Sequence, residues 1–250
     1  MTTRPTQQQY GNYTAEDFSV WKILFDRQME NLQGKVSHDF IEALRIVKFR
    51  REKIPDFKEI NEILKESSGW GLHTVPNISP QQEFFALLAK KKFTATCWLR
   101  SMQQLDYLEE PDMFHDVFAH VPLLSNISYC KFFEGIGKLA MKHIDNPMAI
   151  ELLGKLYWFT IEFGLIREEG QLKVYGAGII SSPGETRNAL SSASEKKNFD
   201  ISEIFKTGFR TDVLQETYFV IDSFVQLFEA LPEIGSRMED SIKLQQPVMK

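Results

Sequence analysis

The sequence PDMFHDVFAHVPLL, residues 111–124, determines how the rest of the chain is interpreted, because it holds the closest pair among five histidines. His115 and His120 are five positions apart, so a regular α-helix would turn them about 140° away from each other. Pro122 must end or distort a helix close to His120. A widened or terminating last turn can orient the imidazole of His120 towards the side of the helix that carries His115. The spacing is therefore compatible with a shared metal ion but does not require one.

A possible third ligand lies in the sequence IELLGKLYWFTIEFGL, residues 150–165. Glu162 stands deep in this aromatic run, where a carboxylate is costly unless it meets a cation or a metal. Glu151 is near the start of the same helix, where an exposed carboxylate is favoured by the helix dipole and needs no metal partner. Two histidines and one carboxylate form the facial triad of non-haem Fe(II) oxygenases. Glu162 is therefore our candidate for the third ligand.

Two other interpretations of these residues remain open. Histidines separated by four residues also occur in zinc sites, so a zinc hydrolase could use the same three side chains. The histidines could also be satisfied core residues of a helical binding protein that holds no metal. The chain has no His-Glu-x-x-His motif, which argues against the common type of zinc protease.

Composition narrows the class of protein. The 250 residues carry a net charge of −5, which argues against a nucleic acid as the main partner. The cluster Lys90-Lys91-Lys92 is explained more simply as the solvated end of a helix. Cys97 and Cys130 are too few for a disulfide framework, which favours a reducing compartment. The N-terminal sequence lacks the apolar core of a signal peptide, and no apolar stretch is long enough for a membrane span. We expect a soluble, cytoplasmic protein.

Apolar residues recur mostly with helical spacing, which predicts a mainly α fold within a single domain, residues 1–250. The segment from Leu165 to Tyr175 predicts a β-hairpin that is broken by Gly176-Ala177-Gly178. A fourth helix should begin with Ser79 as its cap and Pro80 in its first turn. The remaining helices are expected at 15–32, 40–47, 60–64, 111–120, 127–143, 147–163, 184–191 and 213–231.

Three separated motifs also resemble a known family. PDMFHDVFAHVPLL, YWFTIEFGL at 157–165 and VYGAGIISSPGE at 174–185 are similar to the pterin-dependent aromatic amino acid hydroxylases. The similarity is highest to their short bacterial members that act on phenylalanine, and it runs from about Trp70 to Asp222. Residues 1–69 match only weakly. The resemblance implies a helical-basket catalytic domain with a small β-hairpin. The short chain and its lack of a heptad repeat favour a monomer, and its charge and hydropathy argue against nucleic acid and membrane partners.

The resemblance also implies an activity and a cofactor set. The reaction would be conversion of phenylalanine to tyrosine with O2 and a tetrahydropterin, either tetrahydrobiopterin or a related reduced pterin. The iron would be Fe(II), bound by His115, His120 and Glu162. The same three ligands emerge here from the residue chemistry. Tryptophan or tyrosine hydroxylation remains an alternative, although Trp158 suits the phenylalanine and tyrosine enzymes better, because tryptophan enzymes tend to carry Phe there.

Further site residues follow from the motif positions. The resemblance assigns substrate binding to Arg100, Asp112, Trp158, Gly178 and Ser181, and pterin binding to Ser79, Phe84, Asp116 and Tyr157. Arg100 would pair with the substrate carboxylate through its planar guanidinium, oriented by Asp112. Without the resemblance, a surface salt bridge and core packing would explain Arg100, Trp158 and Phe84.

Three positions depart from the family pattern. Ala119 stands where Gly is usual, Leu108 where Thr or Pro is common, and Asp116 where Glu is frequent. None of these changes removes a proposed ligand, so they bear on kinetics and pterin preference more than on reaction type.

Overall fold

A computed structural model describes residues 4–106 and 108–245, and these are mostly helical. Its α-helices are α1 (Ala15–Leu32), α2 (His38–Ile46), α3 (Phe57–Ser67), α4 (Gln81–Leu88), α5 (Ile127–Lys142), α6 (Pro147–Tyr157), α7 (Ala177–Ile180), α8 (Pro183–Leu190), α9 (Ile201–Lys206), α10 (Phe224–Glu229) and α11 (Leu231–Gln245). Its strands are β1 (Gly71–Thr74), β2 (Lys92–Ala95), β3 (Gly164–Glu168), β4 (Gln171–Val174), β5 (Glu195–Asn198) and β6 (Thr217–Ile221). The prediction of a mainly α fold is confirmed.

Local sequence signals account for most helix boundaries. α1 has the predicted bounds, and Thr14 and Asp17 cap it reciprocally: the Thr14 side chain accepts from the Asp17 N–H, and the Asp17 carboxylate accepts from the Thr14 N–H at 2.7 Å. Ser67 is the last residue of α3, and Gly69 follows with φ +79°, which terminates the helix as predicted. The expected cap at Ser79 is wrong. Pro80 occupies the cap position in extended conformation, and α4 begins only at Gln81.

The predicted hairpin is confirmed as antiparallel β3 and β4, joined by a turn at Glu169 and Gly170, which both have positive φ. The hairpin belongs to a larger sheet of strand order β4-β3-β6-β5, in which β6 runs parallel to both β3 and β5. β1 and β2 form a separate parallel pair. The sheet places the residues just before β3 next to the centre of the fold.

The helix predicted at 213–231 is wrong in its first half, which contains β6. Tyr218, Phe219, Val220 and Ile221 are all buried because β6 lies between two other strands. A short, continuous apolar run of this kind has no alternation, so periodicity cannot separate a buried strand from a helix. The helix starts only at α10, and α11, which follows, was not anticipated.

The buried apolar residues form one cluster that includes helices from both ends of the described chain, from Val20 on α1 to Met238 on α11. Large aromatic side chains dominate its centre, among them Trp21, Phe118 and Phe133. Within residues 4–106 and 108–245, no helix combines the length and apolar character needed to cross a bilayer.

Candidate metal centre

Two short π-helical segments carry the predicted ligands. Phe114–His120 is π-helical, and Trp158–Glu162 continues α6 as a second π-helical segment. A π-helix hydrogen-bonds residue i to residue i+5, so five positions correspond to about one turn. His115 and His120 therefore lie on the same side of their helix. Pro122 opens a 3-10 turn directly afterwards, so the distortion expected close to His120 is present as a widened helix.

The three predicted ligand side chains meet at one point. Nε2 of His115 lies 3.3 Å from Nε2 of His120, and the Glu162 carboxylate lies 3.1 Å from His120 Nε2 and 3.7 Å from His115 Nε2. Metal–ligand bonds of about 2.0–2.2 Å would place neighbouring ligand atoms about 3.0 Å apart in an octahedron and about 3.4 Å apart in a tetrahedron. The 3.1 Å distance is to Oε1 of Glu162 and the 3.7 Å distance is to Oε2, so the two imidazole nitrogens and the carboxylate group fit one face of a metal coordination shell. The distances between the ligand atoms are compatible with either iron or zinc.

The protonation states of the three residues also suit a metal ion. Burial acts to raise the pKa of Glu162, but His120, His115 and a hydrogen bond from Tyr157 outweigh it and lower that pKa to about 2. Burial lowers the pKa of His115, although Glu162 opposes the shift. At neutral pH the site therefore offers an ionised carboxylate and a neutral imidazole at His115, the forms that coordinate metals.

Ser181 orients the first of the two imidazoles. Nδ1 of His115 lies 2.8 Å from the Ser181 hydroxyl, which in turn donates to the Ala177 carbonyl at 2.8 Å. Because the serine hydrogen is already given to Ala177, His115 must donate from Nδ1, and its Nε2 keeps a free lone pair. Nδ1 of His120 is buried and has no hydrogen-bond partner among the described residues. Its ring packs against Phe93 at 4.8 Å.

Arg100 and Asp112 form a bidentate pair next to this centre. Nε and Nη2 of Arg100 each donate to Asp112 at 2.9 Å. The Asp112 side chain is fully buried, and that of Arg100 is only 13% exposed, so this is not a surface salt bridge. Asp112 also accepts from the Phe114 N–H at the start of the first π-helical segment. The carboxylate therefore links Arg100 directly to the helix that carries both histidines.

The other residues assigned to the substrate lie on the second π-helical segment and after β4. Trp158 donates its indole N–H to Gln215 at 2.9 Å and stacks on Phe209. Gly178 faces the ring of Phe163, and a Cβ at this position would come within 2.7 Å of that ring. A glycine is therefore sterically required at 178.

The residues assigned to the pterin are divided between two places. Phe84 meets Tyr157 edge to face, with ring centroids 5.1 Å apart, and Tyr157 is one of the groups that lower the pKa of Glu162. Asp116 accepts from both the N–H and the hydroxyl of Thr96 at 2.8 Å. Burial raises the pKa of Asp116, although His115 and Thr96 oppose it. Ser79 precedes α4 and makes no hydrogen bond with another described residue.

Several contacting residues were not identified from the sequence. Thr96 holds Asp116 across 20 positions, and Gln215 holds Trp158 across 57 positions. Neither belongs to a motif, and no spacing rule connects them to their partners. The buried Glu185 lies within the third motif, which is the one signal that could have drawn attention to it.

Comparison with known proteins gives a consistent result. A family model described as biopterin-dependent aromatic amino acid hydroxylase matches residues 6–248, so it includes the N-terminal part where the motif resemblance is weak. The phenylalanine-4-hydroxylase of Ralstonia nicotianae is 44% identical over 233 residues, which span 92% of this chain and 74% of that protein. The phenylalanine-4-hydroxylase of Chromobacterium violaceum is 44% identical over 219 residues, spanning 87% and 73%. A crystal structure of the Chromobacterium violaceum protein with bound iron(III) and 7,8-dihydrobiopterin matches with a TM-score of 0.89 at 39% identity, covering 98% of this chain and 88% of that one.

Proposed function

The chain belongs to the biopterin-dependent aromatic amino acid hydroxylases, and from this premise we propose that it is a phenylalanine 4-monooxygenase. It converts L-phenylalanine to L-tyrosine with O2 and a tetrahydropterin at a non-haem Fe(II) centre. One observation carries this conclusion: two imidazole nitrogens and one ionised carboxylate converge within 4.8 Å of one another, in a fold shared with a protein that holds iron(III) and dihydrobiopterin.

We propose His115, His120 and Glu162 as the residues that hold iron. Two imidazole nitrogen donors and one anionic oxygen donor on one face match the two-His-one-carboxylate set of Fe(II) oxygenases. When bound, the ferrous ion supplies the chemistry that activates O2 together with the pterin. Ser181 holds the imidazole of His115, so this ligand is restrained before any ion binds.

For the amino acid substrate we propose Arg100 as the carboxylate-binding residue. Asp112 occupies Nε and Nη2 of the guanidinium and thereby fixes its plane. Among the residues that the structure describes, the remaining Nη1 makes only a long 3.5 Å contact, to the Leu105 carbonyl, and we propose that it binds the substrate carboxylate. Trp158 and Gly178 are proposed to line the ring pocket, where the missing side chain at 178 admits the Phe163 ring that packs on Trp158.

For the pterin we propose a stacking site at Phe84, because its perpendicular contact with Tyr157 leaves a ring face available to a flat ligand. Asp116 and Ser79 complete the proposed site. Asp116 is shorter than the Glu common in the family and is anchored by Thr96, so contact with the cofactor through water fits better than direct contact.

Compartment and assembly are also proposals. The cytoplasm is supported by two free, buried cysteines, Cys97 and Cys130, whose thiols have pKa values raised by burial to about 11 and about 12. A net charge of −5 supports the absence of a nucleic acid partner. We further propose a monomeric helical-basket catalytic domain comprising residues 1–250, without a membrane partner.

Zinc hydrolysis and hydroxylation of another amino acid are the competing functions, and one experiment separates all three. The protein is loaded with Fe(II) without oxygen, mixed with tetrahydrobiopterin and air, and given phenylalanine, tyrosine or tryptophan in parallel. We expect tyrosine from phenylalanine as the fastest product, no turnover with Zn(II), and no turnover without pterin.

Two variants complete this test. His115→Ala should abolish turnover, whereas His73→Ala, an exposed histidine on β1, should keep it. Failure of the iron-loaded protein to make tyrosine, or tyrosine formation without pterin, would refute the proposed function.

A further inference from the structure

A buried polar network connects the proposed substrate wall to a loop that no motif covers. Gln215 is 5% exposed, and its carboxamide makes three hydrogen bonds. Its oxygen accepts from the Trp158 indole N–H at 2.9 Å, and its nitrogen donates to the carbonyls of Arg210 at 2.7 Å and Val213 at 3.1 Å. An indole N–H only donates and a main-chain carbonyl only accepts, so these partners fix the orientation of the amide.

The main chain of Gln215 is held just as firmly. Its N–H donates to the Glu185 carboxylate at 3.0 Å, and its carbonyl accepts from Asn188 at 2.7 Å. Tyr218 donates to the other oxygen of Glu185. Every polar group of Gln215 is therefore paired, which makes it the rigid junction between α8 and the loop at 207–216.

The loop at 207–216 makes a second contact with Trp158. Phe209 stacks on the Trp158 ring, with centroids 4.3 Å apart and planes 16° apart, and it also meets Phe159 edge to face. Phe209 is 39% exposed, so stacking on Trp158 and Phe159 is what holds its ring. Gln215 thus restrains Trp158 twice, once through the indole N–H and once through the loop that presents Phe209.

We propose that Gln215 is a positioning residue for the aromatic substrate, acting by fixing Trp158. The inference rests on the proposed function, in which Trp158 lines the ring pocket. Preorganised walls matter because a ring held in one place does not have to be ordered when the substrate binds. Gln215 touches neither the substrate nor the metal ligands, so its effect should fall on substrate binding.

The test replaces Gln215 by Met, which keeps a similar shape and removes all three side-chain hydrogen bonds. In the iron-loaded full chain we expect the KM for L-phenylalanine to rise about tenfold, with kcat within about threefold of wild type and unchanged iron content. Gln171→Met, the same change at an exposed position on β4, is the matched control and should alter none of these values.

A double-mutant cycle shows whether the effect passes through Trp158. Trp158→Phe keeps an aromatic ring but has no N–H to donate. In that background, Gln215→Met should change KM by less than about threefold, because the indole hydrogen bond is already gone and only the restraint through the Phe209 loop remains to be lost. Equal effects of Gln215→Met in both backgrounds would overturn the proposal.

A third readout does not depend on activity. Arg210 is exposed within the loop, so trypsin cleavage after Arg210, followed by mass spectrometry, reports how tightly Gln215 holds it. We expect faster cleavage in Gln215→Met than in wild type or Gln171→Met. Unchanged KM would overturn the inference, with or without faster cleavage. If wild type itself made no tyrosine, the proposed function would have failed instead. Should Gln215→Met not fold, Phe209→Ala replaces it, and an unchanged KM there would refute the same claim.

Discussion

Glu162 and Glu185 are both shielded from solvent, but their surroundings give them opposite properties. Glu162 faces His120, His115 and Tyr157, which lower its pKa to about 2 despite burial. Glu185 faces neutral donors, the Tyr218 hydroxyl and the Gln215 N–H, and burial raises its pKa. Burial alone therefore does not identify a functional acid. The charge of its partners decides whether a buried carboxylate suits a metal ion or a structural hydrogen-bond network.

Asp112 lies between these two cases. Its side chain is fully buried, and it pairs with a permanent cation, the Arg100 guanidinium. A pair of this kind holds its arginine in one orientation, which suits recognition of a substrate carboxylate. The three acids thus differ in what they position: the proposed metal ion at Glu162, a cationic side chain at Asp112 and a stretch of main chain at Glu185.

The largest expected effect comes from removing the charge at Glu162. We expect Glu162→Gln to lose bound iron and to lower turnover more than ~100-fold, since outer partners of metal ligands alone account for about 10–100-fold. Iron per chain by elemental analysis and tyrosine formation are the measurements, and the far-UV spectrum should stay helical. Glu151→Gln, on the exposed side of α6, is the control. Normal iron content with normal turnover would show that Glu162 is not a ligand.

A smaller effect is expected at Arg100. Arg100→Lys keeps a positive charge near Asp112 but cannot form the bidentate pair, so the KM for phenylalanine should rise about 10–100-fold. Iron content should remain at the wild-type value, which separates this variant from Glu162→Gln. Arg27→Lys, in the exposed pair with Asp106, serves as the control and should leave KM unchanged. An unchanged KM in Arg100→Lys would exclude Arg100 from substrate binding.

At Glu185 we expect a change in stability with no loss of iron. Glu185→Gln retains one acceptor oxygen for two donors, so the free energy of unfolding should fall by about 1–3 kcal/mol. Urea unfolding of the iron-free protein measures this, with the exposed Glu66→Gln on α3 as the reference. If Glu185→Gln lost iron without losing stability, Glu185 would contribute to metal binding, as proposed for Glu162, and not to the structural hydrogen-bond network.

The smallest expected effect is the pH dependence that Glu185 contributes. Burial raises the pKa of Glu185 in the folded state above its ordinary value of about 4.3. At a pH between these two pKa values, the folded state holds a proton that the unfolded state has lost. Its contribution to stability is therefore complete below the unfolded pKa and is lost as pH rises through the folded pKa. The stability difference between wild type and Glu185→Gln should shrink as the pH rises above about 4 and through the folded pKa. A constant or growing difference would contradict the raised pKa.

The sequence by itself determined the mainly helical class, the hairpin and the three candidate ligands, because helical periodicity, turn residues and a costly buried acid are local signals. It also indicated a distorted helix at His120 through Pro122, but not that the distortion would be π-helical. It mistook β6 for a helix, since a strand buried on both faces has no alternation to detect.

The tertiary structure alone decided which polar groups meet. His115 meets Ser181 across 66 positions, and Trp158 meets Gln215 across 57. Such pairings depend on how helices and sheet pack around one core, because a buried donor takes the acceptor that packing places beside it. Residue chemistry along the chain can indicate that a group needs a partner. Only the folded arrangement determines which partner it has.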